Sequence, residues 1–70
     1  MEKFTIEIER DDRFFVAQCI EHPNCFTQGR TLRETLRNMQ EVLELMRNVK
    51  APQMEVHLMD EAVKAIVQPA

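Results

Sequence analysis

Cys19, His22 and Cys25 follow one another at three-residue spacing, and His57 lies further along the chain. Thiolates and imidazoles are good zinc ligands, and a tetrahedral site would need all three side chains to converge with a fourth donor such as His57. The surrounding sequence reads as strand, turn, strand, which sends Cys19 inward with Phe15 and Ala17 and leaves His22 in an exposed turn. Small buried thiols acting as core hydrophobes are therefore the preferred reading, with no metal site and no cofactor. Nucleophilic catalysis by Cys19 or Cys25 would need a partnered base, and none is identifiable. Arg30, Arg33 and Arg37 form a second cluster. Cations near a helix start are electrostatically unfavourable, so these residues either hold an acidic partner or RNA, or form a solvated face interleaved with Glu34 and Glu41. The solvated face is the preferred reading. No catalytic residue is expected.

The elements that must carry these residues are legible from periodicity. From Lys3 to Glu9, Phe4, Ile6 and Ile8 alternate with Thr5, Glu7 and Glu9, the pattern of a strand with one buried face. Arg10 to Arg13 suits a hairpin turn through Asp11-Asp12. A second strand is predicted over Phe14 to Ile20. Pro23-Asn24 turns the chain, Asn24 being able to adopt a left-handed backbone, and a short third strand runs from Cys25 to Gln28 before Gly29. Thr31-Leu32-Arg33-Glu34 has the form of a capping box, in which Thr31 accepts from the Glu34 N–H and Glu34 reaches back to the Thr31 N–H. The helix should extend to about Val49, with Leu32, Leu36, Met39, Leu43 and Met46 on one face. Ala51-Pro52 stops it. Gln53 to Met59 alternates again, placing Met54, Val56 and Leu58 on one side of a fourth strand. Asp60 to Val67 admits a short helix burying Val63, Ile66 and Val67 or an extended segment, and the helix is the reading taken. The expected fold class is α+β in the order β-β-β-α-β, an antiparallel sheet with one long helix on a single face.

Seventy residues make one domain, 1–70, with a core over 3–59 and a short extension over 60–70. Below about 70–80 residues a single core supplies only about 3–5 kcal/mol, so such chains lean on disulfides, metals or association. The first ten residues have no apolar signal core, and no apolar run approaches the roughly 18 residues of a membrane span. A cytoplasmic protein with reduced thiols is expected, which leaves a homodimer or larger assembly as the extra source of stability. The net charge of −3 argues against a general nucleic-acid binder, which needs clustered Lys and Arg, and is compatible with a basic protein partner.

Apolar positions exceed what one helix on one face can bury. Val42, Leu45 and Val49 lie to one side of the helix stripe. If Phe15, Ala17 and Cys19 face the helix, then Phe14, Val16 and Ile20 fall on the other face beside Thr5, Glu7 and Gln18. A subunit or partner interface made by Phe14, Val16, Ile20, Val42, Leu45 and Val49 would account for the surplus. Cover by the C-terminal segment is the alternative.

The run from Phe15 to Leu36, FVAQCIEHPNCFTQGRTLRETL, resembles the signature of HicB-like antitoxins. That signature is an aromatic-Val-Ala-Glu stretch, a turn ending Pro-Gly-Cys, a Gly, and Thr-Leu-x-Glu-Ala opening a helix. The matching residues are Phe15, Ala17, Pro23, Cys25, Gly29, Thr31 and Glu34, and the flanking strands extend the likeness to about residue 59. Asn24 stands where Gly is usual, Ile20 where Pro is common and Thr35 where Ala is common. The resemblance implies a partial ribonuclease H-like fold. Ribonuclease H chemistry needs carboxylates converging on divalent metal ions, whereas Glu7 and Glu9 sit on the wet face of the first strand and Asp11 and Asp12 in a turn. Metal-dependent nuclease activity is therefore not expected. Many members carry a DNA-binding segment after the fourth strand. The residues after Leu58 are too few and too acidic for one, and no direct DNA binding or membrane association is expected.

What the resemblance implies about function is a non-catalytic antitoxin of a toxin–antitoxin pair, occluding a HicA-like toxin, a small basic RNA-cleaving enzyme. The runner-up is an oligomeric adaptor or scaffold of the same family without a toxin. A nucleic-acid-binding or nuclease domain is the third.

Overall fold

The computed structural model describes residues 3–59. They form strands β1 (Lys3–Asp11), β2 (Phe14–Cys19) and β3 (Phe26–Gly29), helix α1 (Leu32–Met46) and strand β4 (Gln53–Leu58). The class is α+β and the order β-β-β-α-β, as the periodicity predicts. The expected segment over 60–70 lies outside the described residues.

The strands lie side by side as β3-β2-β1-β4. β1–β2 and β2–β3 are antiparallel, but β4 runs parallel to β1, pairing Phe4 with Met54, Ile6 with Val56 and Ile8 with Leu58. The sheet is thus mixed rather than antiparallel. A helix following β3 carries the chain back to the end from which β3 started, so the next strand must run in the direction of β3 and hence of β1.

The β1–β2 hairpin is tighter than expected. Asp11 pairs with Phe14, which leaves only Asp12 and Arg13 in the loop, and Asp12 takes the left-handed conformation with φ 53°. Asn24, the residue with that option in the β2–β3 turn, does not use it. That turn is closed instead by the Cys25 N–H donating to His22 O at 2.8 Å.

Thr31 caps α1, its hydroxyl accepting from the Glu34 N–H at 3.0 Å. The Glu34 carboxylate reaches one residue further back than expected, to the Arg30 N–H at 3.4 Å. The helix ends at Met46 rather than near Val49, with Arg47 as C-cap and Asn48 left-handed at φ 54°. Asn at this position is a helix stop, because its short polar side chain tolerates the left-handed turn that releases the last carbonyls.

α1 lies over β3 and β2. Phe4, Ile6 and Ile8 from β1, Phe15, Ala17 and Cys19 from β2, Cys25, and Met39 and Leu43 from α1 are buried, with Leu32, Leu36, Val42, Val49, Met54 and Leu58 packed around them. Burying each large apolar side chain stabilises the fold by about 1.5–3 kcal/mol. Thr35 is also fully buried, its hydroxyl donating to Thr31 O at 2.7 Å. Met46 is not a core residue: it is 52% exposed. At about 100° per residue it lies between Thr35 and Met39 around the axis. Its exposure therefore comes from its place along the axis, on the last turn, past the side chains beneath.

Candidate functional site

Of the candidate metal and nucleophile residues, Cys19 and Cys25 are cross-strand neighbours, the Cys19 N–H donating to Cys25 O at 3.0 Å, with His22 in the turn between them, while His57 is held apart. Cys19 and Cys25 are buried on the helix side of the sheet. His57 belongs to the opposite side, since its register partner is Glu7. His22 is half-buried in the β2–β3 connection, its ring 5.7 Å from that of Phe4. Burial pushes the Cys19 thiol up, and its Sγ lies 3.5 Å from Glu21 Oε1. A thiol that is harder to ionise is a poorer nucleophile and ligand.

Arg33 and Arg37 line a hollow of about 470 Å³ on the outer face of α1 with Thr31, Glu34, Asn38 and Glu41. Both signs of charge alternate around it, the solvated face that the sequence suggests.

The face of the sheet turned away from α1 is the distinctive surface. Alternation places Thr5, Glu7 and Glu9 of β1, Phe14, Val16 and Gln18 of β2, Phe26 and Gln28 of β3, and Glu55 and His57 of β4 on it. Phe14 is exposed and Phe26 is 64% exposed. Ile20, which continues β2 by donating its N–H to Thr5 O at 2.9 Å, is exposed on the same side. Glu7, Glu9, Val16 and Gln18 surround a hollow of about 90 Å³ at its centre. Two basic side chains are engaged there: Lys3 Nζ is 3.0 Å and His57 Nε2 2.8 Å from the Glu55 carboxylate. Those contacts hold Glu55 below its ordinary value, His57 contributing most. Glu21 folds back against the end of this face, accepting from the Thr5 hydroxyl at 2.6 Å and the Thr5 N–H at 2.8 Å, which lowers it to about 2.

Of the six apolar residues expected to form an interface, Phe14, Val16 and Ile20 are brought together on this face. Val42 and Val49 are half-buried against the core, Val42 because it lies about 20° around the axis from the buried Thr35 and Val49 in the segment after α1 has ended at Met46. Leu45 lies on the helix, away from that face, and is 83% exposed. Phe26 is the residue that sequence reasoning missed. Counting back from the pairing of Cys25 with Cys19 would have found it, since the next residue must share a face with Gln18.

The family-motif residues have structural roles. Phe15 and Ala17 are core, the Arg10 guanidinium sits 5.7 Å from the Phe15 ring, Thr31 and Glu34 cap α1, and Gly29 is buried against it. Among the described residues no helix is long and apolar enough to cross a membrane, and no group of three His, Cys, Asp or Glu is placed to hold a metal ion. No family model, curated protein or solved structure matches this chain.

Proposed function

We propose that this chain is a cytoplasmic, non-catalytic binding module of the HicB-like antitoxin type, which inhibits a small basic RNA-cleaving toxin by covering it. The observation that carries the reading is the sheet face that no other described element covers, where Phe14, Val16, Ile20 and Phe26 stand beside Glu7, Glu9 and Asp11. Solvent-facing strand positions are ordinarily polar, and grouped apolar side chains on them are characteristic of interaction surfaces. A column of carboxylates beside an apolar strip suits a basic partner and steers association with one. The motif residues from Phe15 to Glu34 supply the link to the antitoxin family by resemblance.

The test is co-expression with the basic product of an adjacent short reading frame, followed by co-purification. The expected result is a stoichiometric complex and rescue of growth, lost when Phe26→Lys and Glu7→Lys are combined. Absence of both complex and rescue rejects the antitoxin reading and leaves the adaptor. RNA cleavage by the purified chain with magnesium, lost on changing Glu7 or Glu9, would replace it with the nuclease.

A further inference from the structure

The two edges of the sheet are not equivalent. On β3, the Cys19 N–H donates to Cys25 O, so successive residues alternate and the peptide groups of Phe26 and Gln28 point outward. One of these groups is engaged by α1: the Asn38 side-chain amide donates to Gln28 O at 3.0 Å. On β4, the Met59 N–H donates to Ile8 O at 2.9 Å, which turns the odd-numbered residues toward β1 and the N–H and C=O groups of Met54, Val56 and Leu58 outward. Among the described residues nothing pairs with them. An edge of this kind is a template for another strand.

We infer that β4 pairs antiparallel with β4 of a second copy, joining the two sheets into one continuous sheet. Only outward-pointing residues can exchange hydrogen bonds across the new seam, which restricts the register to pairings among Met54, Val56 and Leu58. The symmetric register opposes Val56 to Val56 and Met54 to Leu58 on the helix side. On the other side it opposes each Glu55 to the second copy's His57. Both sides are then complementary, apolar against apolar and acid against base. Sliding by two residues toward the N-terminus instead opposes Glu55 to Glu55, which like-charge repulsion disfavours. Val56, at the centre of the seam, is 38% exposed although its register partner Ile6 is fully buried. The pairing sets the second copy's Val56 beside it. The seam is isologous, each β4 meeting the other copy's β4, so this contact closes at two copies. The seam uses the strand edge and leaves Phe14, Val16 and Phe26 open, so it stands independently of any partner bound there.

The experiment is sedimentation velocity on the full chain across the micromolar range. The expected mass is twice the 8.3 kDa of one chain. Val56→Lys should reduce it to that of one chain with an unchanged far-ultraviolet spectrum, while Phe26→Lys on the opposite edge leaves it doubled. Glu55→Lys should weaken the dimer, and adding His57→Glu should restore it by exchanging the charges. Val56→Cys oxidised with copper–phenanthroline should give a disulfide-linked pair, since opposed residues at such a seam have Cα atoms about 5.5 Å apart. A monomeric wild type, a dimer indifferent to Val56→Lys, or a Val56→Cys chain that does not cross-link overturns the proposal.

Discussion

Gly29 lies directly under Thr35: a Cβ added to the glycine would fall 2.6 Å from Thr35 Oγ1 and 2.8 Å from the Thr35 backbone nitrogen. Neither neighbour can withdraw. The hydroxyl is committed to Thr31 O at 2.7 Å, and the Thr35 N–H donates to the same carbonyl at 2.9 Å. Gly29 has no positive φ, so the requirement for glycine here is close approach of β3 to the first turn of α1, not backbone freedom.

Gly29→Ala is therefore expected to destabilise the chain by about 1–3 kcal/mol, the usual cost of forcing a methyl into a packed site. Chemical denaturation measures it. Because the clash includes Thr35 backbone, Thr35→Ala in the same chain should recover only part of the loss. Full recovery would show that the hydroxyl alone sets the spacing.

Ala51 precedes Pro52 and adopts φ 45°. Proline excludes the right-handed helical region for the residue before it, and here the chain turns left-handed to bring β4 alongside β1. A non-glycine residue in that region costs about 1–2 kcal/mol, part of which glycine returns as freedom in the unfolded chain. Ala51→Gly should accordingly raise stability by up to about 1 kcal/mol. A lower denaturation midpoint would contradict the assignment of strain to Ala51.

The features that sequence exposed well are those governed by local periodicity. The alternation of Phe4, Ile6 and Ile8, the Thr31 cap and the Met39–Leu43 stripe all depend on a few consecutive residues. The parallel placement of β4 depends on where α1 delivers the chain, which no local pattern encodes. The burial of Thr35 was hidden for a related reason: a threonine reads as a surface residue until β3 is known to pass beneath it. The site divides in the same way. Strand parity identifies Phe14, Val16 and Ile20 as one group; Val42 and Val49 instead pack against the core on the helix side, and α1 ends at Met46, short of Val49. Asn48, a residue that favours the left-handed stop, was the overlooked signal.

Cys19 and Cys25 have no solvent-accessible surface, and burial raises the Cys19 thiol above its ordinary value. Access and thiolate content both limit thiol–disulfide exchange. Ellman's reagent is expected to leave the native protein unmodified over a period in which both thiols react at once in denaturant. Rapid reaction of one thiol per chain in native buffer would show an open conformation at the β2–β3 turn.

Glu21 ties the β2–β3 connection to β1 through the hydroxyl and N–H of Thr5. These bonds favour the carboxylate and hold it at about 2 in the folded chain, against an ordinary value of 4.5. As pH falls through 4.5 the unfolded chain takes up this proton first, so the contribution of Glu21 to stability is complete above about 4.5 and is lost progressively toward 2. Glu55, also lowered, adds to the same slope. Glu21→Gln should be less stable than the wild type near neutrality, and the difference should shrink on acidification through this window. Thr5→Val, which removes the hydroxyl but keeps the N–H donor, should reproduce part of both effects, and the double variant should be less destabilised than the sum of the two single changes. A Glu21→Gln deficit that stays constant from pH 6 to pH 2 would mean that the carboxylate charge has no part in the contact.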